Sequence, residues 1–205
     1  MTDRESTWDK RLQIHTTGRD EVNADAWHHP YEPTPYSVLE RLADSGLLGE
    51  GDTLVDYGCG KGRVGIFLSC RTQAETIGIE YDQRIYGGAL ENQSTAVAGA
   101  KAEFLLARAE DYALPPAVNR CYFFNPFSAE ILRKVMARIL ESYYADPREI
   151  LLFFYYPADE FIAYLMTVEA LEFFDEIECD DLFAGKDPRE RILIFQLPGY
   201  ENEET

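Results

Sequence analysis

The chain holds little that a metal or redox centre would use. Its three histidines, His15, His28 and His29, all fall in the first thirty residues, and Cys59, Cys70, Cys121 and Cys179 stand far apart with no C-x-x-C pair. Neither a zinc site nor a disulfide framework is indicated, so no metal is expected and the cysteines read as small apolar fillers of a reduced interior. Long apolar runs are missing as well. The longest, Ile150 to Tyr156, is closed by Pro157, far short of the roughly 20 residues of a membrane helix. The N-terminus carries Asp3, Arg4, Glu5 and Asp9 among few apolar residues, without the apolar stretch of a signal peptide. A soluble, cytoplasmic protein with no membrane partner is the expectation. Positive charge is also scarce: 19 Lys and Arg stand against 37 Asp and Glu in 205 residues, a formal charge of −18. Binding by bulk attraction to phosphates is excluded and no nucleic-acid partner is expected, although a local basic groove stays open.

What is present is ample material for a core. An apolar fraction of 46% with 13% aromatic residues is far too rich for a disordered chain and suits a single globular domain of this length. Residues 1–33 show no sustained apolar period and read as an irregular or short helical arm that could cover a site as a lid. Thr34-Pro35 then supplies an N-cap and a first-turn proline before Val38, Leu39 and Leu42 at helical spacing, and Gly46 or Gly49 can end that helix.

From Thr53 two periods alternate. Short apolar strands at Thr53 to Asp56, Thr76 to Tyr81, Glu103 to Ala107, Cys121 to Asn125 and Ile150 to Tyr156 are separated by helical stretches, the longest capped by Ser128 with Ile131, Val135 and Ile139 on one face. Strand alternating with helix implies an α/β fold, a doubly wound, mostly parallel sheet with helices on both faces. Two closing strands, Phe173 to Cys179 and Arg191 to Leu197, have only the polar loop Asp180 to Glu190 between them, which requires an antiparallel pair. Residues 34–198 form this domain, and 199–205 an acidic tail.

Ligands of such sheets sit beyond the carboxyl ends of the strands. The first strand runs into Asp56-Tyr57-Gly58-Cys59-Gly60-Lys61-Gly62, whose glycines allow a sharp turn and close approach of a ligand. The second ends at Glu80, 22 residues after Gly58, where a carboxylate reaches a ribose hydroxyl pair. The spacing is G-x-G-x-G rather than the dinucleotide G-x-G-x-x-G, and Asp56 before the loop suits a cation and opposes a pyrophosphate. A ligand with a ribose and a positive charge fits both.

Leu54 to Gly62, Ile79-Glu80, Phe104 to Asp111 and Asn125-Pro126-Phe127 resemble, in order, the motifs of class I S-adenosylmethionine-dependent methyltransferases, over about residues 34–198. The resemblance implies a seven-stranded sheet with the last strand antiparallel beside the sixth. It implies S-adenosylmethionine as cofactor, with Gly58 and Gly60 under the methionine part, Asp56 facing its ammonium and Glu80 on the ribose. Arg108 stands where the family more often has an acidic residue near adenine, which leaves the Ala109 amide and Glu110 for that contact. Asn125-Pro126-Phe127 is similar to a shortened Asn-Pro-Pro-Tyr/Phe motif of amino-group methyltransferases. It implies hydrogen bonds from an acceptor nitrogen to the Asn125 amide oxygen and the Pro126 carbonyl, with Phe127 packed alongside.

Tyr31, Tyr36 and Tyr155 are the candidates for acceptor contact, and His28 or His29 for a base. The expected activity is methyl transfer to a nitrogen of a small-molecule or protein amine. Its rivals are a silent nucleoside-binding relative of the same fold and a nicotinamide oxidoreductase. Oligomeric state and acceptor identity are not written in the motifs.

Overall fold

A computed structural model describes residues 3–20, 22 and 31–199. Seven strands, β1 (Thr53–Tyr57), β2 (Glu75–Glu80), β3 (Ala102–Leu106), β4 (Arg120–Phe123), β5 (Ile150–Tyr155), β6 (Glu172–Glu178) and β7 (Arg191–Leu197), form one sheet in the order β3-β2-β1-β4-β5-β7-β6. All neighbours are parallel except β7, which runs antiparallel to both β5 and β6. The doubly wound sheet with its inserted antiparallel strand is therefore as the sequence implies.

Two-residue alternation sends the side chains of each central strand to two cores. Leu151, Phe153 and Tyr155 of β5, with Ile192 and Ile194 of β7, join one core. Ile150, Leu152 and Phe154, with Leu193, Phe195 and Leu197, join the other. Every residue of β5 is buried, which accounts for the uniformly apolar run of its sequence. Tyr57, Phe123 and Phe154 stack across β1, β4 and β5 with ring centroids 4.9 and 4.5 Å apart, aligning the carboxyl ends of the three strands at the cleft. Helices α2 (Tyr36–Asp44) and α3 (Arg63–Thr72) bury their apolar faces in the first core, and α5 (Ala129–Ala145) and α6 (Asp159–Leu165) in the second. Helix α4 (Gln83–Thr95) lies against β3 and β2.

The arm departs from expectation. Its helix α1 (Asp3–Leu12) leads into Leu12 and Ile14, 4% and 1% exposed and part of the first core, while Trp8 packs edge-on to Phe67 at 5.0 Å. Buried polar contacts fix the arm as well. Asp9 accepts hydrogen bonds from the Thr16 amide, the Thr16 hydroxyl and the Tyr36 hydroxyl at 2.8, 2.7 and 2.6 Å. Apolar periodicity missed this because the arm is anchored through few apolar residues and one polar network. The cap of α2 also differs: Thr34 turns its hydroxyl to Tyr122, 3.1 Å away, and the Tyr36 amide donates to the Glu5 carboxylate at 3.1 Å. Trp27, His28, His29, Pro30 and all but the first residue of the acidic tail lie outside the described residues. Among the described residues no helix is long and apolar enough to cross a membrane.

Candidate active site

Beyond Tyr57 the chain turns through Gly58 and Gly60 with φ of +78° and +57°, backbone that side chains other than glycine rarely adopt. A Cβ on Gly58 would collide with the Pro126 ring, and one on Gly60 with the Tyr31 ring. The loop is thus a bare strip of backbone with one wall from the β4 end and one from the arm. Its amides are fixed by β2: Gly58 and Cys59 both donate to the Ile79 carbonyl, at 2.9 and 3.0 Å. Glu80 completes the attachment, one carboxylate oxygen accepting from the Gly60 amide at 3.0 Å and the other from the Asp82 amide at 2.9 Å. Asp82 in turn caps α4, accepting from the Arg84 and Ile85 amides.

The electrostatics here are one-sided. Asp56 is 3% exposed and its Oδ2 has no hydrogen-bond partner. Burial, reinforced by the neighbouring Glu80 charge, pushes its carboxyl up to about 8. Burial also raises Glu80, against the backbone amides that favour its ionised form, and raises the Cys59 thiol, with Asp56 and Glu80 adding to it. A cation placed against Asp56 would satisfy an orphaned oxygen and relieve this crowding of acids. The glycine strip and the orphaned carboxylate therefore fit the methionine portion of S-adenosylmethionine, which carries an ammonium.

One cleft brings together Asp56, Gly58, Glu80, Ala109, Glu110 and Tyr31, with Pro126 and Phe127 also in its lining. Gly60 joins them through its contact with the Tyr31 ring. Tyr31 was expected on the acceptor side, but its ring covers the glycine loop and its hydroxyl donates to the Thr16 carbonyl at 2.5 Å. An Asp20 to Tyr31 β-bridge and an Asp20 to Arg84 ion pair at 2.6 Å close the arm over this end of the cleft.

Two expected residues fall elsewhere. Tyr36 is wholly enclosed in the core with its hydroxyl on Asp9, so it has no surface for an acceptor. Asn125 lines a neighbouring groove with Phe124, Tyr155, Tyr156 and Glu190. Its amide is engaged by the protein: the side-chain nitrogen donates to the Tyr156 carbonyl, and the oxygen accepts from the Ala158 amide at 3.1 Å. Asn125 and Tyr156 hold φ of +39° and +49° at the ends of adjacent strands, so this pair of bonds maintains two strained turns side by side. Tyr155 reaches that groove, 2% exposed, and donates to Glu190 at 2.6 Å. Residues not singled out from sequence also contribute: Thr34, Tyr122, Asp82 and Arg63 all line the glycine-loop cleft. Only Arg63 carried a signal, a basic residue directly after the glycines where a helix N-terminus disfavours positive charge.

No protein-family model matches the chain, and no curated protein does. Solved structures share its fold. An RNA methyltransferase from Salinibacter ruber, in complex with S-adenosyl-L-homocysteine, superposes with a TM-score of 0.58 at 18% identity over 84% of this chain and 98% of that one. An rRNA methylase from Streptococcus thermophilus gives 0.54 at 13% identity over 83% and 99%. A TehB-like SAM-dependent methyltransferase from Corynebacterium glutamicum gives 0.54 at 17% over 78% and 87%. The shared feature is the Rossmann-like methyltransferase fold. These neighbours also correct the expectation of no nucleic-acid partner, because two chains of this fold, matched over 98% and 99% of their length, are an RNA methyltransferase and an rRNA methylase. Net charge averages the surface and leaves the potential of one groove undetermined.

Proposed function

We propose that this chain binds S-adenosylmethionine and transfers its methyl group to an acceptor nitrogen. The observation that carries the reading is the buried, unpartnered Oδ2 of Asp56 above the glycine strip, with Glu80 beside it at the end of β2. A pyrophosphate in this place would meet the carboxyl groups of Asp56 and Glu80, which disfavours a nicotinamide dinucleotide. When bound, the cofactor supplies an electrophilic methyl on a sulfonium; the rest falls to this chain's residues. Asp56 holds the ammonium, Gly58 lines the position of the methionine chain, and Gly60 lets the loop pass beneath the Tyr31 ring. Glu80 keeps the loop closed and offers its remaining lone pairs to the ribose. Ala109 and Glu110 border the adenine position, and Tyr31 excludes water from the loop.

On the acceptor side, Pro126 and Phe127 form the wall. Among the described residues none donates to the Pro126 carbonyl, so it is available to a nitrogen that gains positive charge as its new bond to carbon forms. Asn125 acts as a positioning residue, holding that carbonyl by tying the ends of β4 and β5 together. Alignment is the main requirement of an in-line transfer. The test is calorimetry with S-adenosylhomocysteine, followed by labelled methyl transfer to RNA, basic peptides and amines. Absence of binding to either nucleoside overturns the reading. Binding without transfer to any cellular extract favours a silent relative, and label on oxygen, sulfur or carbon removes the nitrogen assignment.

A further inference from the structure

The arm is held differently at its root and at its tip. At the root, Thr16 and Thr34 are both buried, and one buried guanidinium grips the two of them: Arg63 Nε donates to the Thr16 hydroxyl at 2.6 Å, and Nη1 to the Thr34 carbonyl at 3.0 Å. At the tip, Asp20 and Tyr31 meet as an isolated bridge, each amide donating to the other's carbonyl, at 3.0 and 2.9 Å. The Tyr31 ring rests on Gly60 in the cleft that holds Asp56 and Glu80, and its hydroxyl reaches back to the Thr16 carbonyl. Lys61 Nζ of the glycine loop stands 5.1 Å from the centre of that ring. The tip is tied to α4 by an ion pair open to water: the Asp20 carboxylate accepts from Arg84 Nη1 at 2.6 Å and from Nη2 at 2.8 Å, and the Arg84 side chain is 48% exposed. Between root and tip stands the exposed Gly18, with φ of +106° and nothing within 4 Å of the place a Cβ would take. An uncrowded glycine at positive φ is a joint about which the chain swings at little steric cost.

We infer that the ion pair of Asp20 and Arg84 is a latch: it keeps the Tyr31 ring down on the glycine loop, and the methyl donor enters and its product leaves when the pair opens and the bridge swings about Gly18. This rests on the donor-binding reading above and adds to it a control over the rate of exchange. A ring laid on the loop has to lift before a ligand passes across Gly60, and the buried root, which stays in place, brings it back. The latch yields to salt and not to protons. Its hydrogen bonds from Arg84, with the Val22 amide, hold the Asp20 carboxyl down to about 2, so the pair is ionised at any working pH, whereas an exposed ion pair is weakened by screening.

The experiment measures association and dissociation rates of S-adenosylhomocysteine by surface plasmon resonance on the full chain, on Asp20→Asn, on Arg84→Gln and on the exchanged pair, Asp20→Arg with Arg84→Asp. Each single variant should speed association and dissociation alike, by about threefold or more, the scale of an exposed bidentate pair, with the affinity kept within about twofold. The two substitutions change the protein's charge in opposite directions, so a general field effect moves the rates apart, whereas loss of the latch moves them together. The exchanged pair should return both rates towards those of the intact chain. Raising salt from about 0.05 to about 0.5 M should speed exchange in the intact chain and not in the single variants. Rates unchanged in both single variants, or shifted in opposite directions, overturn the inference. Faster dissociation with unchanged association overturns it as well, because Tyr31 then belongs to the ligand's contacts and not to its gate. Each of these results leaves the donor-binding reading in place. If the intact chain does not bind S-adenosylhomocysteine, that reading has failed and the latch with it.

Discussion

Replacing Asp56 by asparagine should make the free protein more stable and the ligand-bound protein less so. The carboxyl titrates near 8 in the fold and at 3.8 when the chain is unfolded and solvated. Because the folded value is the higher one, the carboxyl's contribution is most favourable below pH 4 and is lost as pH rises towards 8. At about 1.4 kcal/mol per pH unit, enclosing this group costs on the order of 4 kcal/mol at pH 7, of which water entering the cleft recovers a share. An amide in its place keeps the shape without the charge, so the free variant should melt several degrees higher at pH 7 to 8, with a flatter pH profile. Binding has the opposite sign. An ammonium against Asp56 favours its ionised form, so S-adenosylhomocysteine should displace close to one proton at pH 7, and its affinity should rise by up to tenfold per pH unit between 6 and 8. Three groups face Asp56: the carboxyl of Glu80, the thiol of Cys59 and, from β4, the phenol of Tyr122. All three are shifted upward, so only Glu80 competes as the proton source, and Glu80→Gln serves as the control. Calorimetry in phosphate and in Tris measures the released proton directly. Affinity that is flat between pH 6 and 8, with identical heats in the two buffers, refutes the argument.

Glu80→Ala leaves the buried Gly60 and Asp82 amides without their acceptor, and should cost about 1–3 kcal/mol of stability on urea unfolding and at least tenfold in S-adenosylhomocysteine affinity. Unchanged affinity would show that the loop holds its shape without the staple. Asn125→Ala removes the link from β4 to Tyr156 and Ala158, and should lower turnover by one or more orders of magnitude, about 1.4 kcal/mol each, with donor affinity nearly intact. A matched loss of donor affinity would place Asn125 in the donor cleft instead. Leu12→Ala should destabilise the protein by about 2–5 kcal/mol, as for any buried leucine, and deletion of residues 3–17 should abolish cooperative unfolding. A truncated chain that still melts sharply would return the arm to the role of a detachable cover.

The sheet was legible because its signals are local and repeated. Each strand's period, each glycine break and the loop of 180–190 without a helix constrain the same topology, and an error in one is corrected by its neighbours. The glycine loop was legible for a related reason: backbone that must take positive φ leaves glycines in the sequence, as at Gly58 and Gly60. The arm was not, since its attachment is a polar network around Asp9 and Arg63 with Trp8, Leu12 and Ile14, which make no sustained period.

The acceptor side shows where motif reading stops. Asn125 and Tyr156 both take left-handed backbone; asparagine tolerates it, but nothing in the identity of Tyr156 announces a second strained turn beside the first. Reading Asn125-Pro126-Phe127 as a set of free groups overlooked that the Asn125 amide has to satisfy the backbone of Tyr156 and Ala158 across the strand ends. A side chain's chemistry is available to a ligand only after the fold's own donors and acceptors have been served. That accounting separates the polar groups near the strand ends: Asn125 in the neighbouring groove and Tyr36 in the core are engaged by the protein, whereas Asp56 Oδ2 and Arg63 Nη2 have no hydrogen-bond partner. A buried polar group without a partner costs stability in the free chain, and a ligand that supplies the missing partner returns it.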